Sequence, residues 1–175
     1  MGVDLTRAWD QVIATIAAQF PGFNVEAGED ADRERLVIPA ILVDLVELEP
    51  EPDQDPETGE LPVLVHFEAR VILGFRTVKV RRAVASAAGA LAAFLHDNRL
   101  GVKWGAGVVL SCAPDEFAPQ AEKVDVWSVE WVHRAHIGDA IELEEGDLPT
   151  EVYLSWAPEI GTDHEDDYQE VTNGE

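Results

Sequence analysis

Val63-Leu64-Val65-His66-Phe67-Glu68-Ala69-Arg70-Val71-Ile72-Leu73-Gly74-Phe75 alternates in polarity over most of its length. Side chains of an extended chain point alternately to opposite sides, so Val63, Val65, Phe67, Ala69, Val71, Leu73 and Phe75 share one face. His66, Glu68, Arg70 and Arg76 fall on the other. A strand buried on one side and wet on the other therefore anchors the fold.

Just upstream, Leu36–Leu48 is almost continuously apolar through Val46 and then alternates with Glu47 and Glu49. It reads as a second strand, with Pro39 placing its beginning at an edge or bulge. Between the two strands lies Glu49-Pro50-Glu51-Pro52-Asp53-Gln54-Asp55-Pro56-Glu57-Thr58-Gly59-Glu60. Proline and like charge leave this stretch little apolar area to bury, so residues 49–61 are expected to form a mobile acidic loop closing a long hairpin. Farther upstream, Asp4 is a plausible N-cap, and Leu5, Ala8, Trp9, Val12, Ile13, Ile16, Ala17 and Phe20 recur at helical spacing until Pro21-Gly22 stops them. Downstream, an Ala-rich helix is predicted from Val78 to Asp97 with a stripe of Val80, Val84, Ala87, Leu91, Phe94 and Leu95. Strands follow at Val108–Cys112 and Val124–Ile137, the latter carrying Trp127, Val129 and Trp131 on one face. A short strand is predicted at Glu151–Trp156.

The resulting order, α-β-β-α-β-β, predicts an α+β fold in which two helices cover one face of an antiparallel-rich sheet. One domain is expected over residues 1–158, followed by a flexible acidic tail over 159–175. The chain has 175 residues, a length suited to one domain with accessory segments.

Twelve basic residues against 35 acidic ones give a net charge of −23. The acids are concentrated: 13 lie in residues 26–60 and 13 in residues 138–175, where Lys and Arg are absent. The remainder is nearly balanced, and five cations, Arg70, Arg76, Lys79, Arg81 and Arg82, lie close together. Such a balance argues against a phosphate-gripping surface. No apolar run approaches the ~20 residues of a membrane span, and the N-terminus lacks a secretory pattern. An intracellular protein needing no membrane is therefore expected.

Chemistry is harder to find. Cys112 has no internal partner and no cationic neighbour to activate it, so a buried, inert thiol is expected. His133 and His136 differ by three positions and fall on opposite strand faces, reading as partly exposed residues with no shared metal. His164 lies among Asp163, Glu165, Asp166 and Asp167 without the glycine of a calcium loop. No nucleophile elbow, phosphate loop or dinucleotide fingerprint is present. No catalytic residue, cofactor or metal is called for, and an enzyme is the least favoured reading. Two features invite a partner instead. Lys79, Arg81 and Arg82 open a helix against its macrodipole. Trp127 and Trp131 share a strand face, either as core residues or as interface anchors.

The chain resembles the tail terminator, or tail-completion, proteins of long-tailed bacteriophages. The resemblance covers Leu5–Ile137 and rests on element order. It runs from the helix ending in Phe20-Pro21-Gly22-Phe23 and Ile38-Pro39-Ala40-Ile41-Leu42-Val43, through the alternating strand and the Ala-rich helix, to the strand Val124–His136. It implies a virion protein of the tail or neck, assembled in the host cytoplasm. Such a protein forms a ring, commonly of six copies, that ends growth of the tail tube and offers a surface for head joining. Its implied partners are itself, the tail tube protein and a head-tail connector or stopper protein, with DNA passing through unbound. Candidate interface residues are the basic Arg70, Arg76, Lys79, Arg81 and Arg82, the acidic Asp53, Asp55 and Glu57, and Trp127 and Trp131. Two other classes remain open: another neck component, and an acidic binding or inhibitor domain that mimics nucleic acid.

Overall fold

A computed structural model of the protein describes residues 2–29, 31, 36–55, 57–115, 124–140, 153–158 and 160–170. Contacts divide the chain into two units, Met1–Ile141 and Glu142–Glu175. The first unit is α+β and runs α1 (Leu5–Gln19), β1 (Asn24–Ala27), β2 (Ala40–Pro50), β3 (Leu61–Gly74), α2 (Val80–Leu95), β4 (Val108–Pro114) and β5 (Val124–Ile137). Its five strands form one mixed sheet in the order β1-β2-β3-β5-β4. Neighbours are antiparallel except β1 and β2, which run parallel with Asn24 opposite Ala40.

β1 is absent from the order expected on sequence, because four residues are too few to display an alternation. Its pairing places β2 inside the sheet and not at an edge. β2 also begins at Ala40 and not at Leu36, so Pro39 sits outside the ladder, its carbonyl accepting the Asn24 N–H at 2.9 Å. β3 ends at Gly74, and Phe75, expected on the buried face, is 50% exposed. The strands claim Glu49, Pro50 and Leu61 from the expected loop, leaving residues 51–60. Their base is tied by the Glu51 N–H donating to the Pro62 carbonyl at 2.9 Å, and Pro52–Gln54 forms a 3-10 turn.

Both helices cover the same sheet face. Ala8, Val12 and Ile16 of α1 and Val84, Ala88, Leu91 and Leu95 of α2 are buried, one residue per turn, as an amphipathic helix on a core requires. They meet Ile41 and Val43 of β2, the row Val63, Val65, Phe67, Ala69, Val71 and Leu73 of β3, and Val129, Trp131 and Ala135 of β5. The Asp4 side chain caps α1 by accepting the Arg7 N–H at 3.2 Å. The Trp9 indole N–H ties α1 to β2 through the Val43 carbonyl at 3.2 Å. On the opposite face a smaller cluster of Ala40, Leu42, Ile72 and Val126 is met by Ala31, Leu36 and Val124.

The register slips once in β2, between Leu45 and Glu47, and once in β4, between Val109 and Ser111. In each case the extra residue is an exposed aliphatic, Val46 or Leu110. A bulge absorbs one residue and returns the following side chains to their faces. Glu47 is thereby opposite His66 on the wet side, and Cys112 opposite Val129 on the core side.

In the second unit, β6 (Tyr153–Leu154) pairs antiparallel with β7 (Gln169–Glu170). Sequence reading puts the boundary at 158 and a flexible tail beyond it. β6 precedes that point and β7 follows it, with a 3-10 turn at Glu165–Asp167 between them. The Tyr168 hydroxyl accepts the Gly161 N–H at 3.0 Å.

Candidate functional site

The turn from β3 into α2 gathers four cations, Arg76, Lys79, Arg81 and Arg82. Lys79 takes the left-handed conformation, φ 55° and ψ 46°, immediately before the helix, and no acidic residue occupies the first turn of α2. Phe75, Thr77, Lys79, Val80, Arg81 and Arg82 line an open cleft of about 600 Å³. Arg76, Lys79, Arg81 and Arg82 are exposed, and among the described residues none has an ion-pair partner. Phe75 and Val78 stand beside them, 50% and 83% exposed. The surface combines positive charge with accessible apolar area.

Arg70 does not belong to it. It sits within β3 on the wet face, where its guanidinium pairs with Asp44 of β2 and its Nε lies 4.0 Å from Glu68 Oε2. That Nε is buried without a hydrogen-bond partner. The Ser128 hydroxyl on β5 donates to Glu68 Oε1 at 2.7 Å, so the group crosses three strands. Farther along the same face, His66 Nε2 lies 3.0 Å from Glu49 Oε2. Arg134 of β5 grips Glu51 with two bonds of 2.7 and 2.9 Å. The two-pronged bond holds the Glu51 carboxyl below its ordinary pKa and the Arg134 guanidinium above its own. Both arginines of this face are thus taken up by carboxylates of the same copy.

The acids of the β2–β3 turn remain. Asp53, Asp55 and Glu57 are exposed. Asp55 also accepts the Glu57 N–H at 2.8 Å, shaping the turn from inside. This turn precedes β3 and the cationic turn follows it, so the 14-residue strand separates the two. At ~3.3 Å per residue that separation is roughly 40 Å.

Trp127 and Trp131 part company. Trp131 is wholly buried and stacks on Phe67, centroids 5.3 Å apart and planes 14° from parallel. It is a core residue, which removes it from the interface candidates. Trp127 is half-buried against the same core. His133, expected to be partly exposed, is fully buried. Its parity with Val129, Trp131 and Ala135 on β5 is the sequence signal that sends it inward. Trp104 stacks on its ring at 4.3 Å. The Trp131 indole N–H donates to His133 Nε2 at 3.0 Å, leaving Nδ1–H to donate to the Gly105 carbonyl at 2.9 Å.

That arrangement fits only a neutral ring. Burial pushes the His133 pKa below its ordinary 6.5, against an opposing pull from the Gly105 bond. The unfolded chain takes up a proton near pH 6.5 while the folded one does not, so stability falls as pH drops from there toward the lowered folded value. His133→Gln can keep both hydrogen bonds without titrating. The melting-temperature advantage of the wild type over this variant should shrink between about pH 7 and pH 5. A constant difference would contradict the assignment.

A metal site draws its donors from converging His, Cys, Asp or Glu side chains. Among the described residues, no group of three His, Cys, Asp or Glu side chains is placed to hold an ion. His164 bonds locally to Asp167 at 3.1 Å. Cys112 is half-buried, its thiol pKa raised by desolvation. A second open cleft of about 580 Å³ lies near the end of β5, between Gly2, Val3, Glu60, Arg99, Lys103 and His136. Among the described residues, no helix is long and apolar enough to cross a membrane. No protein-family model matches the chain, and no curated protein matches its sequence.

Proposed function

We propose that the protein is a structural subunit of a phage tail. In this reading it forms a ring on the end of the tail tube, stops tube growth and presents the surface to which the head joins. The observation that carries the reading is the exposed cluster Arg76, Lys79, Arg81 and Arg82 beside Phe75 and Val78, without ion-pair partners among the described residues, on a chain whose net charge is −23. The β2–β3 turn of the same copy lies roughly 40 Å away along β3, too far to fill the cleft, and an acidic segment of a neighbouring copy is the complement this reading gives it. A contact between different patches on successive copies is heterologous, and it closes into a ring when the rotation per subunit divides a full turn. Six copies are the number implied by the family resemblance.

The charge balance supports the same role. A ring traversed by DNA should repel phosphate, and the chain carries a net charge of −23. The tube protein would meet one rim and a connector or stopper protein the other. The test is direct: gold-labelled protein mixed with purified tail tubes and imaged by negative stain. Label is expected at one tube end only. Label on the head connector with none on tubes would assign the protein to another neck position and sink the terminator reading.

A further inference from the structure

The cationic cleft between β3 and α2 needs an occupant that supplies both carboxylates and apolar surface, since Phe75 and Val78 stand exposed among Arg76, Lys79, Arg81 and Arg82. We infer that this occupant is the acidic C-terminal unit, Glu142–Glu175, of a second copy. The inference rests on the self-association proposed above and specifies which segment makes it.

Two acidic segments compete for the role. The β2–β3 turn offers Asp53, Asp55 and Glu57, but Asp55 is engaged in shaping the turn and Glu51 is held by Arg134. The C-terminal unit contains 12 acidic residues and no Lys or Arg, so every charge it carries is complementary to the cleft. It also displays apolar side chains: Trp156 is 80% exposed, Ile160 55% and Leu154 54%. Exposed tryptophan in a charged setting is the residue type most enriched at binding hot spots, and arginine is its common counterpart. Carboxylates opposite the arginines would set orientation and rate of encounter, while Trp156 against Phe75 and Val78 would supply desolvated contact. Exchange of such a segment from copy to copy is a heterologous contact, the kind a ring requires.

The experiment is sedimentation velocity of the full-length protein at low salt over a wide concentration range. Four variants join the wild type: Arg81→Glu with Arg82→Glu; Asp163→Lys with Asp166→Lys; all four substitutions together; and Trp156→Ala. Circular dichroism checks each fold. Each charge reversal alone is expected to weaken self-association at least about tenfold, and the combined variant to recover most of it. Trp156→Ala should weaken it as well, without recovery by charge changes. The inference is overturned if the acidic reversals associate as the wild type does, if the combination is no better than its parents, or if the wild type stays monomeric throughout. Failure of the terminator reading looks different: recovery by charge exchange persists, yet no label reaches tube ends.

Discussion

Trp131→Ala should cost about 3–5 kcal/mol of stability. That is a large share of the ~5–15 kcal/mol that holds a domain of this size folded. The indole fills the space between β5 and Phe67, and its removal leaves a cavity that neighbouring side chains in a two-helix layer can only partly close. A second loss accompanies the first. His133 Nε2 accepts its hydrogen bond from that indole N–H, and in the variant the ring nitrogen remains buried without a partner. Urea denaturation should show a lower midpoint with an unchanged slope. Trp127→Ala, at a half-buried position on the same strand face, should cost roughly half as much. Equal losses at the two tryptophans would contradict the division between core and surface drawn here.

Arg70→Leu is the second large change, expected to destabilise by about 1–3 kcal/mol. It leaves Asp44 and Glu68 facing each other on the sheet without the cation between them. Their side chains retain 19% and 26% exposure, so solvent screens part of the repulsion and the cost stays below that of a fully buried pair. Adding Asp44→Leu should recover most of the loss, because Leu42 and Ile72 already make this part of the sheet apolar. Thermal unfolding of the single and double variants measures both quantities. A neutral single variant would mean that Arg70 is solvated, and would return it to the assembly surface with Arg81 and Arg82.

The residues that were legible in the sequence are those whose signal is local. The alternation of Val63–Leu73 and the helical spacing of Ala8, Val12 and Ile16 each reflect a buried face, and the structure buries them. The cations opening α2 were visible for the same reason, since three lie within four residues. What was hidden depends on register. Arg70 belongs, by sequence distance, with Arg76 and Lys79, yet Asp44 meets it only because β2 pairs Leu42 with Arg70 in an antiparallel hairpin. Arg134 finds Glu51 across 83 positions. β1 gains its place from hydrogen bonds to β2, and its own four residues carry no period. His133 was readable and misread: its spacing from His136 separated their faces, but its parity with Trp131 had already placed it inside.

The proposed work of this protein is to stop a polymer through contacts made by its charged and apolar edges. The most direct measurement follows tail-tube subunits polymerising in the presence of rising amounts of the protein, with tube lengths read from electron micrographs. Tubes should stop lengthening once added protein reaches about six copies per growing end, one ring each, and each tube should carry a cap at one extremity. Tubes that lengthen at an undiminished rate in saturating protein would contradict the account.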